Sequence, residues 1–401
     1  MPSIQLLVDS ADAHIGETLY RDLSRRGWSV FMGAFGTEIL VGEDQGVDTI
    51  VCWLPAQREK CSDALDLLHG LENVPIPVTL AIPPNCHLPP WLGARSSTRV
   101  ILQNRVDYDR AFEDVFRALL SPWPAWLDVR VRPSVIERPT GVDWWSEDLL
   151  VADERFEHLI RIGPDTMTVL LSGLSEPHHV FVDRRQVLIA NKSANEVLVF
   201  RLVDDMATDI FTLRHCQPNQ PLAHPHAAAQ SHDRVAIADT DNNQVFVGHG
   251  QLHRNRIESW TVLKDSDHLR TPCAVFIDGR FIWVASTFTH EIVAFDHSGS
   301  WVGSFGKYGD GPGEFRFPVA IAVWQDNMFV ADEENKRLQV LQIVPPDEGL
   351  LKPLISGFGA PWVRSPFGLG VNRENKLAIV DRDYRCVWIA DLGEALDAKS
   401  A

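Results

Sequence analysis

The sequence has few cysteines, no long apolar run and no excess of basic residues. Its six cysteines, at 52, 61, 86, 216, 273 and 386, form no CxxC pair and are too few for a disulfide framework, so we expect reduced, buried thiols. A membrane helix needs about 18 consecutive apolar residues, and no apolar run in the sequence is that long. The amino terminus MPSIQLLVDSADAH lacks the basic and apolar regions of a signal peptide. These absences predict a cytoplasmic protein with no membrane partner.

The charge of the chain argues against a nucleic-acid partner. The 401 residues include 54 acidic and 37 basic side chains, which gives a net charge of -17. A surface that binds nucleic acid shows a basic patch or stripe. Here the lysines and arginines are scattered along the sequence, so we expect no nucleic-acid partner.

Residues 1–122 alternate short apolar runs with helical patterns. The runs at 4–8, 28–31, 48–54 and 76–82 are typical of strands buried in a parallel sheet. Ile15, Leu19 and Leu23 recur at intervals of four, which is typical of a helix. Strands that alternate with helices predict an α/β domain with a flavodoxin-like, doubly wound sheet.

Beyond a connector at 123–137, which includes most of the Pro- and Trp-rich stretch SPWPAWL, the pattern changes to short β-runs. Six prolines recur at intervals of 38 to 48 residues, at 139, 177, 225, 272, 318 and 366. A polar corner residue follows each proline by 14 or 15 positions: Asp153, Asn191, Asp239, Ser286, Asp332 and Asp381. Repeats of this length with about four strands are propeller blades, so 138–401 is predicted to form an all-β, six-bladed propeller. The alternating stretch LDVRVRP (127–133) is expected to complete the short last blade.

The repeats resemble a known family. The segment GEFRFPVAIAVWQDNMFVADEENKRLQVL (313–341) is similar to NHL repeats, with an F-x-x-P anchor, a V-A-D corner and a following N-x-R. The resemblance extends over about 126–395, although Asn191 and Ser286 replace the corner aspartate in two units. It implies a propeller that binds a ligand or a protein partner on one face.

The N-terminal part resembles a divergent TIR (Toll/interleukin-1 receptor) domain. The matching residues are LVDSADAHIGETLYRDLSRRGWSVF (7–31) and the strand IVCWL (50–54). The resemblance implies self-association or assembly with other TIR domains. Many TIR domains also hydrolyse NAD with a glutamate. At that position this chain has Asp66, whose side chain is shorter, so we expect assembly rather than hydrolysis. The residues implied to contact NAD are Asp9, Ser10 and Trp53.

The residue after each anchor proline begins an innermost strand, so these residues are expected to converge on the propeller channel. They are Thr140, His178, His226, Cys273, Val319 and Phe367. His178, His226 and Cys273 are ligand types that zinc prefers. The peptidyl-hydroxyglycine amidating lyases, which this part also resembles, are NHL-like propellers that hold zinc with channel histidines. The alternative, which we favour, is a set of channel histidines with satisfied hydrogen bonds.

The corner carboxylates are expected to cap turns rather than bind a cation.

The glycine-rich stretch GKYGDGPGEFRFP (306–318) does not fit a phosphate-binding loop. Such a loop requires a Lys followed by Ser or Thr at the start of a helix, whereas Pro312 excludes an immediate helix here. We interpret it as the loop between blades four and five.

These features predict a recognition and signalling protein with a TIR-like assembly domain and a ligand-binding propeller. One alternative is an NAD-hydrolysing effector with Asp66 as its carboxylate. A second is a metal-dependent propeller enzyme with zinc at the channel histidines.

Overall fold

The computed structural model describes residues 3–8, 12–34, 49–53, 78–82, 98–102, 108–120, 124–164, 166–252 and 256–400. The chain divides into two compact units, one of Met1–Trp123 and Val129–Ser134, the other of Pro124–Asp128 and Val135–Ala401. The predicted connector at 123–137 therefore contributes residues to both units. No helix in the described ranges is long and apolar enough to cross a membrane.

A five-stranded parallel sheet forms the centre of the first unit. Its strands are β1 (Ser3–Val8), β2 (Ser29–Ala34), β3 (Thr49–Trp53), β4 (Val78–Ile82) and β5 (Thr98–Leu102), and its helices are α1 (Ala13–Arg25) and α2 (Tyr108–Leu120). The strand order is β2-β1-β3-β4-β5, with every pairing parallel. Ile4 and Leu6 of β1 and Leu19 and Leu23 of α1 are buried. The short apolar runs of the sequence therefore form the core of this sheet.

A buried ion pair fixes residues 129–134 to α2 within the first unit. Glu113 of α2 accepts a hydrogen bond from the backbone N–H of Val131 at 2.8 Å and pairs with the guanidinium of Arg132. Its other oxygen lies 3.0 Å from Nη2 of Arg117. The side chains of Glu113 and Arg132 are both buried. Because each charge is paired and hydrogen-bonded, the burial of these groups is tolerated.

The second unit consists of six four-stranded sheets. Blade one contains β7 (Pro139–Trp145), β8 (Asp148–Asp153), β9 (His158–Ile162) and β10 (Met167–Ser172); blade two, β11 (Pro177–Asp183), β12 (Gln186–Asn191), β13 (Glu196–Val203) and β14 (Met206–Leu213). A small hairpin of β15 (His215–Gln217) and β16 (Gln220–Pro221) precedes blade three, which contains β17 (Pro225–Ser231), β18 (Arg234–Asp239), β19 (Gln244–Gln251) and β20 (Arg256–Leu263). Blade four contains β21 (Pro272–Ile277), β22 (Phe281–Ser286), β23 (Glu291–Asp296) and β24 (Trp301–Phe305); blade five, β25 (Pro318–Trp324), β26 (Asn327–Asp332), β27 (Arg337–Ile343) and β28 (Leu351–Ser356). Blade six contains β29 (Pro366–Val371), β30 (Lys376–Asp381), β31 (Cys386–Asp391) and β6 (Leu127–Arg130), and helix α3 (Leu392–Ser400) follows β31. The predicted six-bladed propeller is confirmed.

The six innermost strands, each the first of its blade, pack side by side around the channel, and β29 packs against β7 to close the ring. Two glycines of β29 allow this close approach. A Cβ atom on Gly368 would lie 2.3 Å from the carbonyl oxygen of Thr140, and one on Gly370 would lie 2.7 Å from that of Val142. Trp144 Nε1 donates across the same junction to the carbonyl of Gly370 at 3.0 Å. Side chains at these two positions would separate the first and last blades.

The corner side chains join each blade to the loop that precedes it. One oxygen of each corner side chain accepts a hydrogen bond from the backbone N–H of the residue two positions before the anchor proline. The donors are Glu137, Ser175, Ala223, Arg270, Arg316 and Arg364, at 2.6 to 2.8 Å. The residue four positions after each corner has a positive φ in all six blades: Glu157, Asn195, Asn243, His290, Lys336 and Arg385. The corner column therefore caps turns, as its residue types predict, and Asn191 and Ser286 replace aspartate because each supplies an acceptor oxygen.

The loop at 306–318 connects β24 to β25, in agreement with its interpretation as a link between blades. Gly306 and Gly313 have positive φ angles of 107° and 76°, which glycine adopts without steric strain. Nη2 of Arg337 donates to the carbonyls of Gly311 and Glu314 at 2.9 and 2.7 Å. Blade five therefore holds this loop in place through Arg337.

Replacing the corner residue of blade five is expected to destabilise the propeller. Asp332 is fully buried and accepts hydrogen bonds from the N–H of Arg316 and from Nε of Arg337, at 2.6 and 2.9 Å. Asp332→Ala leaves both donors without this acceptor, so we expect a loss of about 3 kcal/mol in the free energy of unfolding. Urea denaturation followed by tryptophan fluorescence measures it.

Asp332→Asn keeps one acceptor oxygen and should lose less stability than Asp332→Ala. Asp347→Ala, at an exposed position, is the matched control and should unfold at the wild-type urea concentration. Equal midpoints for Asp332→Ala and Asp347→Ala would contradict the role assigned to the corner.

Candidate functional site

The residues implied to act on NAD are only partly described. Asp66, Asp9 and Ser10 lie outside the described residues. Trp53 ends β3 and is buried, and its indole Nε1 has no hydrogen-bond partner among the described residues. The NAD site therefore stays a prediction.

The residues that follow the anchor prolines pack together at the start of the innermost strands, and we call this set the channel plug. It consists of Thr140, His178, His226, Cys273, Val319 and Phe367. The His178 and His226 rings stack with centroids 4.2 Å apart and an interplanar angle of 26°. The Phe367 ring meets His178 edge-on at 5.1 Å. His226 Nδ1 lies 3.2 Å from Cys273 Sγ. Contacts thus link side chains of blades two, three, four and six at this end of the channel.

A guanidinium covers the aromatic part of the plug. Arg382 lies 3.3 Å from the centroid of the Phe367 ring, a cation–π contact. Its Nη atoms lie 3.5 Å from carboxylate oxygens of Glu154 and Glu333. Burial lowers the pKa of Arg382 to about 10 and raises that of Glu333 above its usual value. Arg382 remains a cation at neutral pH and is balanced by the two carboxylates.

The plug histidines and thiol are uncharged at neutral pH. Burial lowers the pKa of His178 well below its usual value and that of His226 to about 4, and it raises the pKa of Cys273 to about 12. Both imidazoles face the channel and keep part of their surface exposed to it. Protein atoms nevertheless surround most of each ring. Their charged forms are therefore poorly solvated.

The plug does not present a three-ligand metal set. His178 Nδ1 lies 3.2 Å from the carbonyl oxygen of His226, so this nitrogen donates a hydrogen bond and its lone pair is not available. In the described part of the chain, no group of three or more His, Cys, Asp or Glu side chains is arranged to hold a metal ion. The zinc site at His178, His226 and Cys273 stays a prediction, and the contacts agree better with hydrogen-bonded channel histidines.

A cavity of about 120 Å³ lies further along the innermost strands, towards their carboxyl ends. Residues of β7, β11, β21, β25 and β29 line it, and we call it the channel chamber. Asp143 and His179 are the ionisable residues that line it. Sequence analysis did not single out either residue, because neither lies in the column after the prolines.

The Asp143 carboxylate is held by two backbone groups. Oδ1 accepts the N–H of Trp144 at 2.8 Å, and Oδ2 accepts the N–H of Val182 from the next blade at 2.7 Å. Burial raises the pKa of Asp143 to about 7, although these two hydrogen bonds act to lower it. The carboxyl group therefore changes charge near neutral pH.

Two acceptor atoms near the chamber have no partner among the described residues. His179 hydrogen-bonds to the backbone of Ala228, and burial lowers its pKa to about 4. Its Nδ1 atom is buried and unpartnered in the described structure, as is Oε1 of Gln230. A neutral His179 that donates from Nε2 has a free acceptor lone pair at Nδ1. Both atoms therefore accept rather than donate.

Beyond the chamber, arginines surround a larger cavity of about 800 Å³. We call its Arg184, Arg185, Arg201 and Arg373 the arginine mouth. Arg184 and Arg185 form the turn between β11 and β12, and Arg373 lies in the turn between β29 and β30. Phe181 and Val182 line both this cavity and the chamber, which makes the two spaces neighbours.

The mouth concentrates positive charge in an acidic protein. Arg201 lies 3.5 Å from Asp209, whereas Arg184, Arg185 and Arg373 have no ion-pair partner within the described ranges. Asp183 is the carboxylate that lines the cavity beside them. In the sequence, the arginine mouth is marked by two basic turns, DRRQ and NREN, which lie between the first and second strands of blades two and six. The repeat pattern does not reveal it, because these turns lie between the anchor and corner positions and differ in sequence from blade to blade.

Solved structures similar to this chain were compared with it. No family model and no curated protein match the chain. The structure of a putative gluconolactonase is 10% identical, covers 68% of this chain and 94% of its own, and has a TM-score of 0.51. The streptogramin B lyase structure is 9% identical, with coverages of 67% and 99% and a TM-score of 0.46. A putative 6-phosphogluconolactonase from Bacteroides uniformis is 15% identical, with coverages of 61% and 78% and a TM-score of 0.46. At 10% identity, the likeness to the putative gluconolactonase supports the propeller fold alone.

The channel histidines are expected to make the protein sensitive to acid. His178, His179 and His226 have pKa values lowered from 6.5, two of them to about 4. Between about pH 6.5 and pH 4, the unfolded chain therefore binds more protons at these three histidines than the folded protein does. The contribution of the three histidines to stability is lost as the pH falls through this range. Asp143 acts in the opposite sense, because its raised pKa lets the folded state bind the extra proton between about pH 4 and 7.

Burial also raises the pKa values of Glu333, Asp153 and Asp381, which act in the same sense as Asp143, so the contribution of an imidazole is measured by comparing variants for the fall that it adds to the urea midpoint between pH 6.5 and pH 4.5. His226→Gln removes one of the three groups and should show a smaller fall. His215→Gln, at an exposed position, serves as the control. Identical pH dependence for the wild type and His226→Gln would show that this imidazole does not contribute.

Proposed function

We propose that this protein is a recognition protein whose propeller binds an anionic small molecule at the arginine mouth. The observation that carries the proposal is the presence of Arg184, Arg185 and Arg373, without ion-pair partners in the described structure, around one cavity of about 800 Å³. Guanidinium groups bind carboxylates and phosphates through paired hydrogen bonds. A cavity of this volume is in the range typical of small-molecule sites.

The acidity of the rest of the chain makes this local charge significant. With a net charge of -17, most of the surface repels an anion. An anion that approaches the propeller is therefore favoured at the arginine mouth over the remaining surface. Asp183 lies within the same cavity and disfavours a second negative group next to the first.

The N-terminal unit is proposed to be a TIR-like assembly module that responds to the propeller. The strand order β2-β1-β3-β4-β5 is that of flavodoxin-like sheets, which supports the resemblance drawn from the sequence. The edge strand β2 exposes Phe31 and Met32 by 39% and 48%. An edge strand with exposed apolar side chains is a pairing surface for another chain.

The two enzymatic alternatives have less support. The carboxylate for NAD hydrolysis, Asp66, lies outside the described residues. One nitrogen of the zinc candidate His178 donates to a carbonyl, and in the described part of the chain no group of three ligand side chains is arranged to hold a metal ion. Recognition is therefore the function that the described side chains favour.

Charge reversal at the mouth tests recognition. Arg184→Glu combined with Arg185→Glu is expected to weaken the binding of citrate and pyrophosphate by about 10-fold to 100-fold, because hydrogen bonds to charged groups are lost. Isothermal titration calorimetry of the full chain at low salt measures this change.

Arg280→Glu is the matched control, because it lies in the equivalent turn of blade four and is 3.9 Å from Asp326. It should leave the affinity for both anions close to that of the wild type. Equal weakening by the control and the double variant, or no binding of either anion to the wild type, would contradict the proposal.

Assembly is tested on the full chain by sedimentation velocity over a range of concentrations. We expect self-association that Met32→Lys weakens by placing a charge on the edge strand. Tyr20→Lys on α1, at a position 43% exposed, should behave as the wild type. A monomer at all concentrations, with and without citrate, would count against an assembly role.

A further inference from the structure

We propose that the channel chamber and the arginine mouth bind the two ends of one molecule, an anion whose far end carries a hydrogen-bond donor, either a hydroxyl or an ammonium group. This inference rests on the proposed function, because it takes the anionic end to lie at the arginines.

The chamber adjoins the cavity at the arginines. At the opposite end of the innermost strands, the rings of His178, His226 and Phe367 are in contact, and the guanidinium of Arg382 lies over Phe367. The larger cavity at the arginines shares Phe181 and Val182 with the chamber. A molecule that enters between the arginines therefore has its far end directed into the chamber.

The polar atoms around the chamber are acceptors. Nδ1 of His179 and Oε1 of Gln230 have no donor among the described residues. His179 lines the chamber and Gln230 the larger cavity, so the side chains that carry these two buried acceptors border the path of the bound molecule. A buried acceptor without a donor is unfavourable, so a molecule that supplies a donor binds more tightly than one that does not.

The Asp143 carboxyl group adds a third acceptor. Both of its oxygens already accept backbone N–H groups, and each carboxylate oxygen has capacity for a further donor. A hydroxyl group donates a hydrogen bond to the deprotonated carboxylate, and an ammonium group gains an ion pair in addition. The two donors can therefore be told apart, because the ammonium advantage should grow more than the hydroxyl advantage as the pH rises through about 7.

The distance between the two ends follows from the strand geometry. The Asp143 carboxylate lies level with Val182, because it accepts a hydrogen bond from the N–H of Val182. Arg184 is two residues further along the chain, and a strand rises about 3.3 Å per residue, so the backbone of the arginine turn lies about 7 Å beyond the level of the carboxylate. A flexible chain of a few methylene groups spans this separation, and a two-carbon acid does not.

The charged groups around the path are consistent with one anionic end. Besides the arginines, the larger cavity is lined by Asp183 and His232, and the adjoining hollow that contains Asp143 is also lined by Glu374. These carboxylates lie between the arginines and the chamber or beside them, so they oppose an anion at the far end. The molecule is therefore asymmetric in charge.

The test compares three acids of equal chain length on the full-length protein by calorimetry: caproate, ε-hydroxycaproate and ε-aminocaproate. All three carry the same carboxylate, so each should lose affinity in the Arg184→Glu, Arg185→Glu double variant. We expect the hydroxy or the amino acid to bind about threefold to tenfold more tightly than caproate. Glycolate and glycine, which are too short to span the site, should show no such advantage over acetate.

Gln230→Met isolates the contribution of the chamber. It keeps the size of the side chain and removes an acceptor, so it should reduce the ratio by which the substituted acids bind more tightly than caproate. Gln342→Met, at an exposed position on β27, is the matched control. If Gln230→Met does not reach the wild-type denaturation midpoint, Asp143→Asn provides the same comparison.

Three outcomes separate the inference from the proposed function. Equal affinities for all three acids, as expected if ordered water satisfies the acceptors, overturn the inference and leave anion recognition intact. An advantage that persists in both Gln230→Met and Asp143→Asn places the donor elsewhere and also overturns it. Failure of every acid, citrate and pyrophosphate to bind refutes the proposed function itself.

Discussion

The hydrogen bond from each corner side chain to the N–H two residues before the anchor proline determines how the propeller is built. It joins the end of a blade's second strand to the loop that leads into its first strand, and it recurs six times at 2.6 to 2.8 Å. Proline has no N–H, so the donor must come from a preceding residue. The bond fixes where each innermost strand begins, and every residue after a proline therefore has an equivalent place at the channel.

This constraint explains why the sequence predicts the fold so well. The bond needs only an acceptor oxygen at a fixed distance from a proline, so Asn191 and Ser286 preserve it, and the spacing remains visible although the rest of each unit varies. The strand β6 was also predictable, since alternation marks LDVRVRP as a strand and the last unit is short. The hairpin of β15 and β16 was not, because its five residues carry no repeat pattern and its position depends on neighbouring blades.

The site was less predictable than the fold because its chemistry depends on burial. Sequence correctly placed His178, His226 and Cys273 next to one another, but it did not show that Phe367 reaches His178 from blade six. Enclosure by these rings keeps the imidazoles neutral, and one nitrogen of His178 donates a hydrogen bond to a carbonyl. Residue types that could bind a metal therefore pack against one another as the channel plug. Similarly, Arg184 and Arg373 are 189 positions apart in sequence, and only closure of the ring brings them to one cavity.

Position along the innermost strands therefore divides the channel into zones of different chemistry. The second residue of each strand supplies the plug, the fifth residue of β7 supplies Asp143, and the turns that follow β11 and β29 supply the arginines. The plug and the arginine mouth therefore lie at opposite ends of the innermost strands, with the channel chamber between them. Gly368 and Gly370 are part of this arrangement, since they let β29 approach β7 closely enough for Arg373 and Asp143 to share a wall of one hollow.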